Sequence, residues 1–179
     1  MRQIGLATAT YVSDSRGRMP WLAANGQLPT YRHVTDKALF SQLIPYLSLN
    51  DMATATAVPE QMICPSYISR YPDWASNGGA KYNVYLANQD QEINGERVFC
   101  SQSSTPGTPY GGMKYLVTSG GTGQTPAANI CYIADGSPEE YLNPVHGSTR
   151  NYLFLDFHVE NLPARTLNEE RAANLVQAK

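Results

Sequence analysis

Two histidines and two aspartates in the C-terminal part of the chain carry side chains that could bind a metal ion. His146, Asp156 and His158 lie close together in the sequence, and Asp135 precedes them. Imidazole nitrogens and carboxylate oxygens are common ligands of transition metals. The competing interpretation is structural: Asp156 accepts backbone N–H bonds within a turn, and the histidines fix the hairpin by hydrogen bonds. A turn at residues 156–157 would separate Asp156 from His158, so we favour the structural role and keep all four as metal candidates.

An oxygen-rich segment, residues 88–95, could bind calcium. If Asp90 takes position one of a calcium-binding loop, Gly95 takes position six, where such loops have glycine. Ser101 then takes position twelve, where these loops have a bidentate glutamate. A solvated polar turn is therefore the favoured interpretation. We predict no cofactor, with calcium or another divalent cation as the alternative.

The remaining motifs do not predict catalysis. The glycine-rich segment 119–125 has no lysine after its glycines and no helical pattern following it, so it does not fit a phosphate-binding loop. The chain has three histidines, and none has a recognisable relation to a serine or cysteine nucleophile. His33, the histidine outside the C-terminal group, is expected on the surface. We therefore predict that the protein is not an enzyme.

The three cysteines, Cys64, Cys100 and Cys131, permit one disulfide in any of three pairings. None of them forms a Cys-x-x-Cys pair, so a tetrahedral metal site is poorly supported. If the protein is extracytoplasmic, a bridge from Cys64 to Cys100 is the first choice, because each flanks a predicted loop around the same strand. Buried free thiols are the alternative.

Composition limits the partners and the number of domains. The chain has 179 residues, of which 42% are hydrophobic, and this is enough for one sizeable core. Its formal net charge is -2 and its 13 Lys and Arg are scattered, so a nucleic acid partner is not expected. We find no apolar run long enough to predict a transmembrane helix. One domain, residues 1–179, is predicted.

Two helices, several short strands and a terminal helix would position these residues. Apolar residues at i, i+3 and i+4 spacing predict a helix that ends near Asp14. A second helix is expected from Asp36 to Leu47, distorted near its end by Pro45. An irregular loop should follow at residues 66–80. A strand is predicted at residues 81–87, with Tyr82, Val84 and Leu86 on one face. Further strands are predicted at residues 97–100, 113–117 and 129–134, and the last of these should end in a turn at residues 135–136. A capping box at residues 166–169 predicts the final helix.

The strongest local pattern is a predicted β-hairpin over residues 146–162. β-Branched and aromatic residues flank Asp156 and Phe157, where a two-residue turn is expected. Nine residues separate His146 from Asp156, and Asn151 begins the run Asn-x-Leu-Phe-x-Asp-x-His-Val. This pattern resembles the prepilin-type processing-associated H-X9-DG domain of bacterial pseudopilin-like proteins. Phe157 stands where that family has glycine, and an L-residue with positive φ at this position would cost about 1 kcal/mol or more.

Two further segments are similar to the same family. Residues 43–47 read Leu-Ile-Pro-Tyr-Leu, and residues 63–66 read Ile-Cys-Pro-Ser. The resemblance implies a pilin-like α+β fold in which a long N-terminal helix packs on a small antiparallel sheet, with extra short helices and long loops. In the family, the segment similar to residues 3–7 follows a long apolar helix with a prepilin leader cleavage site. The resemblance therefore implies that a membrane-inserting half-helix precedes this chain.

The resemblance also implies a function. The protein would be a non-enzymatic structural subunit of a type II secretion or type IV pilus-like assembly, anchored in the inner membrane with an extracytoplasmic head domain. Its partners would be other pilin or pseudopilin subunits, and the loops at 66–80 and 101–125 would contact neighbours or cargo. The alternative is an extracytoplasmic carbohydrate-binding module that uses Trp21, Trp74 and tyrosines as stacking platforms.

Overall fold

The structure, a computed structural model, shows a small α+β protein with helices and an antiparallel sheet. It describes residues 1–20, 39–48, 62–74, 76, 84–87, 92–93, 96–97, 128, 131–135 and 144–164. In chain order the elements within these residues are α1 (Arg2–Asp14), α2 (Leu39–Leu47), α3 (Pro65–Arg70), β1 (Tyr85–Ala87), β2 (Glu92–Ile93), β3 (Glu96–Arg97), β4 (Cys131–Asp135), β5 (Thr149–Phe154) and β6 (Val159–Pro163).

The first helix, α1, ends where the sequence predicts. The Ser15 backbone N–H donates to the Tyr11 carbonyl at 2.8 Å, and the Gly17 N–H donates to the Val12 carbonyl, also at 2.8 Å. Gly17 has a φ of +78°, a left-handed conformation that glycine adopts without steric cost and that closes the last helical turn. The predicted end near Asp14 is confirmed. Because α1 has 13 residues, the described part of the chain does not contain the long helix that the resemblance implies.

The third helix, α3, corrects the first part of the irregular loop predicted at residues 66–80, because residues 66–70 are helical. Pro65 stands at the start of α3, where its missing N–H leaves no hydrogen bond unmade. Tyr67 is 1% exposed and belongs to the main core, so burial of its ring stabilises a helix that the local sequence does not favour.

The second helix, α2, continues through Pro45 to Leu47. No helix among the described residues has the length and apolar character needed to cross a membrane.

Four strands form one antiparallel sheet in the order β1-β4-β5-β6, and β2 pairs separately with β3. The strand predicted at 129–134 is present as β4, but Asp135 lies inside it, opposite Tyr85 of β1, and not in a turn. The strand predicted at 81–87 is present at its end, as β1. Val84, immediately before β1, and Tyr85, its first residue, are both buried. Tyr82 lies outside the described residues, so the predicted alternation stays a prediction.

The two faces of the sheet pack different groups of side chains. Ile133 of β4 and Leu153 of β5 belong to the main core, together with Ile4 and Ala7 of α1. Neighbouring residues on the same strands point the other way and form a second, smaller cluster of Ala134, Tyr152 and Phe154. The face that packs α1 is therefore the one that carries Ile133 of β4 and Leu153 of β5.

The closest approach between α1 and the sheet is at Gly5. A Cβ atom added to Gly5 would lie 3.0 Å from Leu153 Cδ1 and 3.2 Å from the Phe157 carbonyl oxygen. These distances leave almost no room for a side chain, so glycine allows the helix backbone to contact β5 and the loop that follows it. The first helix thus packs directly on the hairpin.

The β5–β6 connection is a three-residue loop, and the expected two-residue turn at Asp156 and Phe157 is wrong. The Phe157 N–H donates to the Phe154 carbonyl at 2.9 Å, and the Phe154 N–H donates to the His158 carbonyl at 3.0 Å. Phe157 has a φ of +68°. A turn closed by such a bond and followed by a left-handed residue is a three-residue hairpin with a G1 bulge, whose left-handed position favours glycine. The predicted hairpin is therefore present, with phenylalanine in a conformation suited to glycine.

Candidate functional site

The four metal candidates form two separate pairs at opposite ends of β5. His146 and Asp135 lie at its beginning, whereas Asp156 and His158 follow its end. A strand of six residues spans roughly 20 Å, so the two pairs cannot share one ion. Within the described ranges, no group of three His, Cys, Asp or Glu side chains is arranged to hold a metal ion. The structure therefore brings together pairs of these residues and not the set of four.

A tight turn places His146 beside Asp135. Gly147 has a φ of +75°, and Thr149 Oγ1 donates to the His146 carbonyl at 3.1 Å, so the chain reverses immediately before β5. His146 Nε2 lies 3.1 Å from Asp135 Oδ2. The side chain of Asp135 is 4% exposed and that of His146 is 23% exposed. The imidazole is therefore the solvent-facing member of a pair whose carboxyl group is buried.

Asn151 of β5 holds the same carboxyl group. Its backbone N–H and its Nδ2 donate to Asp135 Oδ2 at 3.2 Å and 2.7 Å, and Nδ2 also lies 3.0 Å from His146 Nε2. On the other side, Asn161 Nδ2 of β6 donates to Asn151 Oδ1 at 3.1 Å. Asp135, Asn151 and Asn161 thus form a polar row across three adjacent strands. The Asn151 side chain donates from its amide nitrogen to Asp135 and accepts at its amide oxygen from Asn161. These two hydrogen bonds together determine which way its amide group is turned.

Cys64 completes the group, which we call the Cys64 cluster: Cys64, Asp135, His146 and Asn151. Its Sγ lies 3.5 Å from His146 Nε2, and the backbone of Cys64 is the N-cap of α3. Cys64 is a half-buried free thiol, and Cys100, its predicted disulfide partner, lies outside the described residues. The sequence analysis missed the contact because the two residues are 82 positions apart. The one available signal was that both lie in segments similar to the same family.

Burial raises the pKa of Asp135 above its ordinary value, because the carboxylate loses its contact with water. The hydrogen bonds from Asn151 and the neighbouring His146 lower the pKa, but burial has the larger effect. The folded protein therefore binds a proton on this carboxyl group more tightly than the unfolded chain does. In the cluster, the carboxyl group of Asp135 and the thiol of Cys64 both lie next to Nε2 of His146. All three groups are able to bind or release a proton.

Asp156 and His158 have contacts that organise the hairpin loop. Asp156 Oδ1 accepts the His158 backbone N–H at 3.2 Å and lies 2.5 Å from His158 Nδ1. The His158 ring stacks on the Phe154 ring with a centroid distance of 4.4 Å and an interplanar angle of 3°. Both members of the pair have 36% of their side chains exposed. These contacts agree with the structural role that the sequence favours for Asp156.

An open groove lies beside α3, next to the Cys64 cluster. It is lined by Pro65, Ser66, Ser69, Arg70 and Val145. Two of these lining residues are sequence neighbours of the cluster, because Pro65 follows the cysteine and Val145 precedes the histidine. The groove thus adjoins the cluster through these chain neighbours, while Cys64 and His146 themselves are not among its lining residues.

Trp74, one of the two tryptophans proposed as stacking platforms, is half-buried and packs against the main core. Its ring is therefore only partly accessible to a ligand. Several predicted features lie outside the described residues: Trp21, His33, Asp36, the calcium-loop residues Asp90, Gly95 and Ser101, the segments 113–117 and 119–125, and the helix expected after Thr166.

Comparisons with protein-family models, with curated proteins and with solved structures found no match. The functional interpretation therefore depends on the geometry given above and on the residue patterns of the sequence.

Proposed function

We propose that the protein is a non-enzymatic, pseudopilin-like structural subunit of a type II secretion or type IV pilus-like assembly. In this proposal α1 continues a longer apolar helix that anchors the subunit in the inner membrane and packs with the helices of other subunits. The sheet and its loops form the extracytoplasmic head, which contacts neighbouring subunits or cargo. The proposal requires no cofactor and no nucleic acid.

The observation that carries the proposal is the docking of α1 on the β5–β6 hairpin. In a pilin-like subunit the N-terminal helix has two roles, because it supports the sheet and also continues toward the membrane. The contact of Gly5 with Leu153 and Phe157 fits the first role, since it joins the helix to the hairpin that carries the H-X9-D pattern. Extended or undocked residues at the start of the chain would have removed this support.

The conformation of the hairpin loop supports the same proposal. Phe157 occupies the position at which the family has glycine, and its φ of +68° is one that glycine adopts readily. The backbone therefore keeps the geometry expected for an Asp-Gly loop although the side chain differs. The backbone conformation of the loop thus supports the resemblance independently of which residues occupy the motif.

The outer face of α1 offers a position at which assembly can be tested. Leu6 is 71% exposed, although Ile4 and Ala7 beside it are buried against the sheet. A single exposed leucine is ordinary on a protein surface. In the proposed assembly, however, this position would face the helix of a neighbouring subunit and become buried.

The test uses the gene product with whatever residues its coding sequence places before Met1, produced together with a prepilin peptidase. We expect a membrane-bound precursor that the peptidase shortens, detected by fractionation and by mass spectrometry of the N-terminus. A photo-crosslinking residue at position 6 should join subunits in the assembled state, and the same residue at the exposed Asp73 is the matched control. A full-length protein found only in the cytosol, without processing, would contradict the proposal.

A further inference from the structure

The Cys64 cluster lies away from the hairpin loop, and the N-terminal amine of Met1 interacts electrostatically with its Asp135 and Cys64. Its chemistry points to a role of its own. We propose that Cys64 is a nucleophilic thiol, activated by His146, that undergoes thiol–disulfide exchange with small anionic disulfides. This inference goes beyond the proposed function and does not depend on it.

The activating contact is between the thiol and the imidazole. Cys64 Sγ lies 3.5 Å from His146 Nε2, which is within hydrogen-bonding reach for sulfur. An imidazole in this position can accept the thiol proton and leave a thiolate, which is the reactive form of cysteine. Cys64 as a residue is partly exposed to solvent.

Asp135 stabilises the protonated imidazole that this transfer creates. Its Oδ2 lies 3.1 Å from the same nitrogen, Nε2, that faces the thiol. This differs from a catalytic triad, in which the carboxylate binds the nitrogen on the other side of the ring. The Asn151 amide nitrogen lies 3.0 Å from the same Nε2 and can donate to it only while the imidazole is neutral. Once Nε2 has taken the thiol proton, its N–H faces the Asp135 carboxylate oxygen, so Asp135 acts by attracting the imidazolium to a fixed position.

Asn151 is a positioning residue for Asp135. Its two N–H groups reach the carboxylate oxygen, and its amide oxygen accepts from Asn161, so the amide cannot turn over without losing contacts on both sides. The carboxylate is therefore held toward His146 from within β5. This arrangement keeps the imidazole near the thiol although no backbone element joins the two directly.

The groove beside α3 indicates the class of disulfide. Arg70 lines it and is exposed, with its Nη1 donating to the Pro144 carbonyl at 3.4 Å. Ser66 and Ser69 supply hydroxyl groups along the same wall. A guanidinium and two hydroxyls favour a reagent with carboxylates, such as oxidised glutathione, over a cationic disulfide such as cystamine.

The reaction is a balanced exchange. The Cys64 proton moves to His146 Nε2, and the thiolate attacks one sulfur of the disulfide. A bond forms between Cys64 Sγ and that sulfur, while the sulfur–sulfur bond of the reagent breaks and its electron pair leaves with the second sulfur. The leaving thiolate takes the proton from the imidazolium. The products are a mixed disulfide on Cys64 and one free thiol.

The first test measures nucleophilicity on the whole chain by the rate of iodoacetamide alkylation at Cys64 at pH 7, followed by peptide mass spectrometry. We expect Cys64 in the folded wild type to react at least tenfold faster than Cys64 in the same chain unfolded in urea, because only the fold places His146 beside the thiol. The His146→Gln variant should react about 100-fold more slowly at pH 7, consistent with loss of a general base. The His158→Gln variant is the matched control and should react like the wild type.

Two results would overturn the activation. One is a folded wild type whose Cys64 reacts no faster than Cys64 in the urea-unfolded chain at the same pH. This measurement needs no variant, so it decides the question even if the His146→Gln protein does not fold. The other is a folded His146→Gln protein, verified by circular dichroism, that reacts at the wild-type rate.

The second test measures the choice of reagent. Oxidised glutathione should modify Cys64 faster than cystamine at equal concentration, and Arg70→Gln should lower this ratio several-fold. The Arg18→Gln variant, which changes an exposed arginine that does not line the groove, should leave the ratio unchanged. Equal ratios in the wild type and the Arg70→Gln protein would refute the preference for anionic disulfides.

Discussion

Replacing Gly5 by alanine should change the stability of the protein in two opposite ways, because alanine favours the helix but its Cβ would overpack the contact with the hairpin. We expect the packing effect to be the larger. In an exposed helix interior, alanine is more favourable than glycine by about 1 kcal/mol. At Gly5 the new Cβ would lie 3.0 Å from Leu153 Cδ1 and 3.2 Å from a backbone carbonyl oxygen of Phe157. Leu153 is fully buried and the carbonyl belongs to a hydrogen-bonded loop, so neither can easily move away.

Overpacking in a well-packed core costs about 1–3 kcal/mol. In the middle of that range it exceeds the gain in helix propensity, so Gly5→Ala should lower the free energy of unfolding by about 1 kcal/mol. The assay is urea unfolding followed by circular dichroism, with the midpoint and the slope fitted for each variant. An unchanged slope would show that the stability changed and not the compactness of either state.

The control for Gly5→Ala uses the exposed face of the same helix. Thr10→Ala and Thr10→Gly both remove the Thr10 hydroxyl, which donates to the Leu6 carbonyl, so the difference between these two variants measures the Gly-to-Ala propensity in α1 alone. A double mutant with Leu153→Val, which removes the Cδ1 atom, should recover part of the loss. If Gly5→Ala instead stabilised the protein as much as the Thr10 pair predicts, α1 would not contact the hairpin as described.

Three further substitutions test the loop, the buried carboxyl group and the core. Because Phe157 has a positive φ, Phe157→Gly should be more stable than Phe157→Ala by about 1 kcal/mol in urea unfolding, and the usual preference for alanine would refute the loop conformation. Burial raises the pKa of Asp135, so the wild type should gain stability relative to Asp135→Asn as the pH falls from 7 toward about 4, the ordinary range of a carboxyl group, and parallel stability curves would contradict this. The Tyr85 hydroxyl donates to the buried Met62 carbonyl, so Tyr85→Phe should lower the thermal unfolding temperature through a loss of about 1–3 kcal/mol, and an unchanged temperature would exclude a stabilising bond.

The features that the sequence predicted correctly are those determined by residues close together in the chain. The end of α1 follows from the left-handed Gly17, and the β5–β6 hairpin follows from a dense run of β-branched and aromatic residues. The position of β4 was also predictable, because its apolar residues form a short continuous run. In each case local sequence and tertiary packing favour the same conformation.

The features that were missed depend on contacts between distant segments. α3 forms because Tyr67 reaches the core, and nothing within residues 65–70 indicates that burial. The contact between Cys64 and His146 exists only after the sheet and α3 have come together. The three-residue loop places Phe157 in a conformation that local propensity opposes, so it could not be inferred from the residue itself.

The polar row of Asp135, Asn151 and Asn161 explains how the hairpin tolerates a phenylalanine at Phe157. Sliding β5 by one position would turn Asn151 to the opposite face and leave the buried carboxyl group without its donors, at a cost of about 1–3 kcal/mol or more. Mispaired alignments are thus rejected within the strands, where Asn151 and Asn161 form the middle pair of the β5–β6 register. The loop does not have to select the correct pairing, so its sequence can diverge while the strands remain aligned.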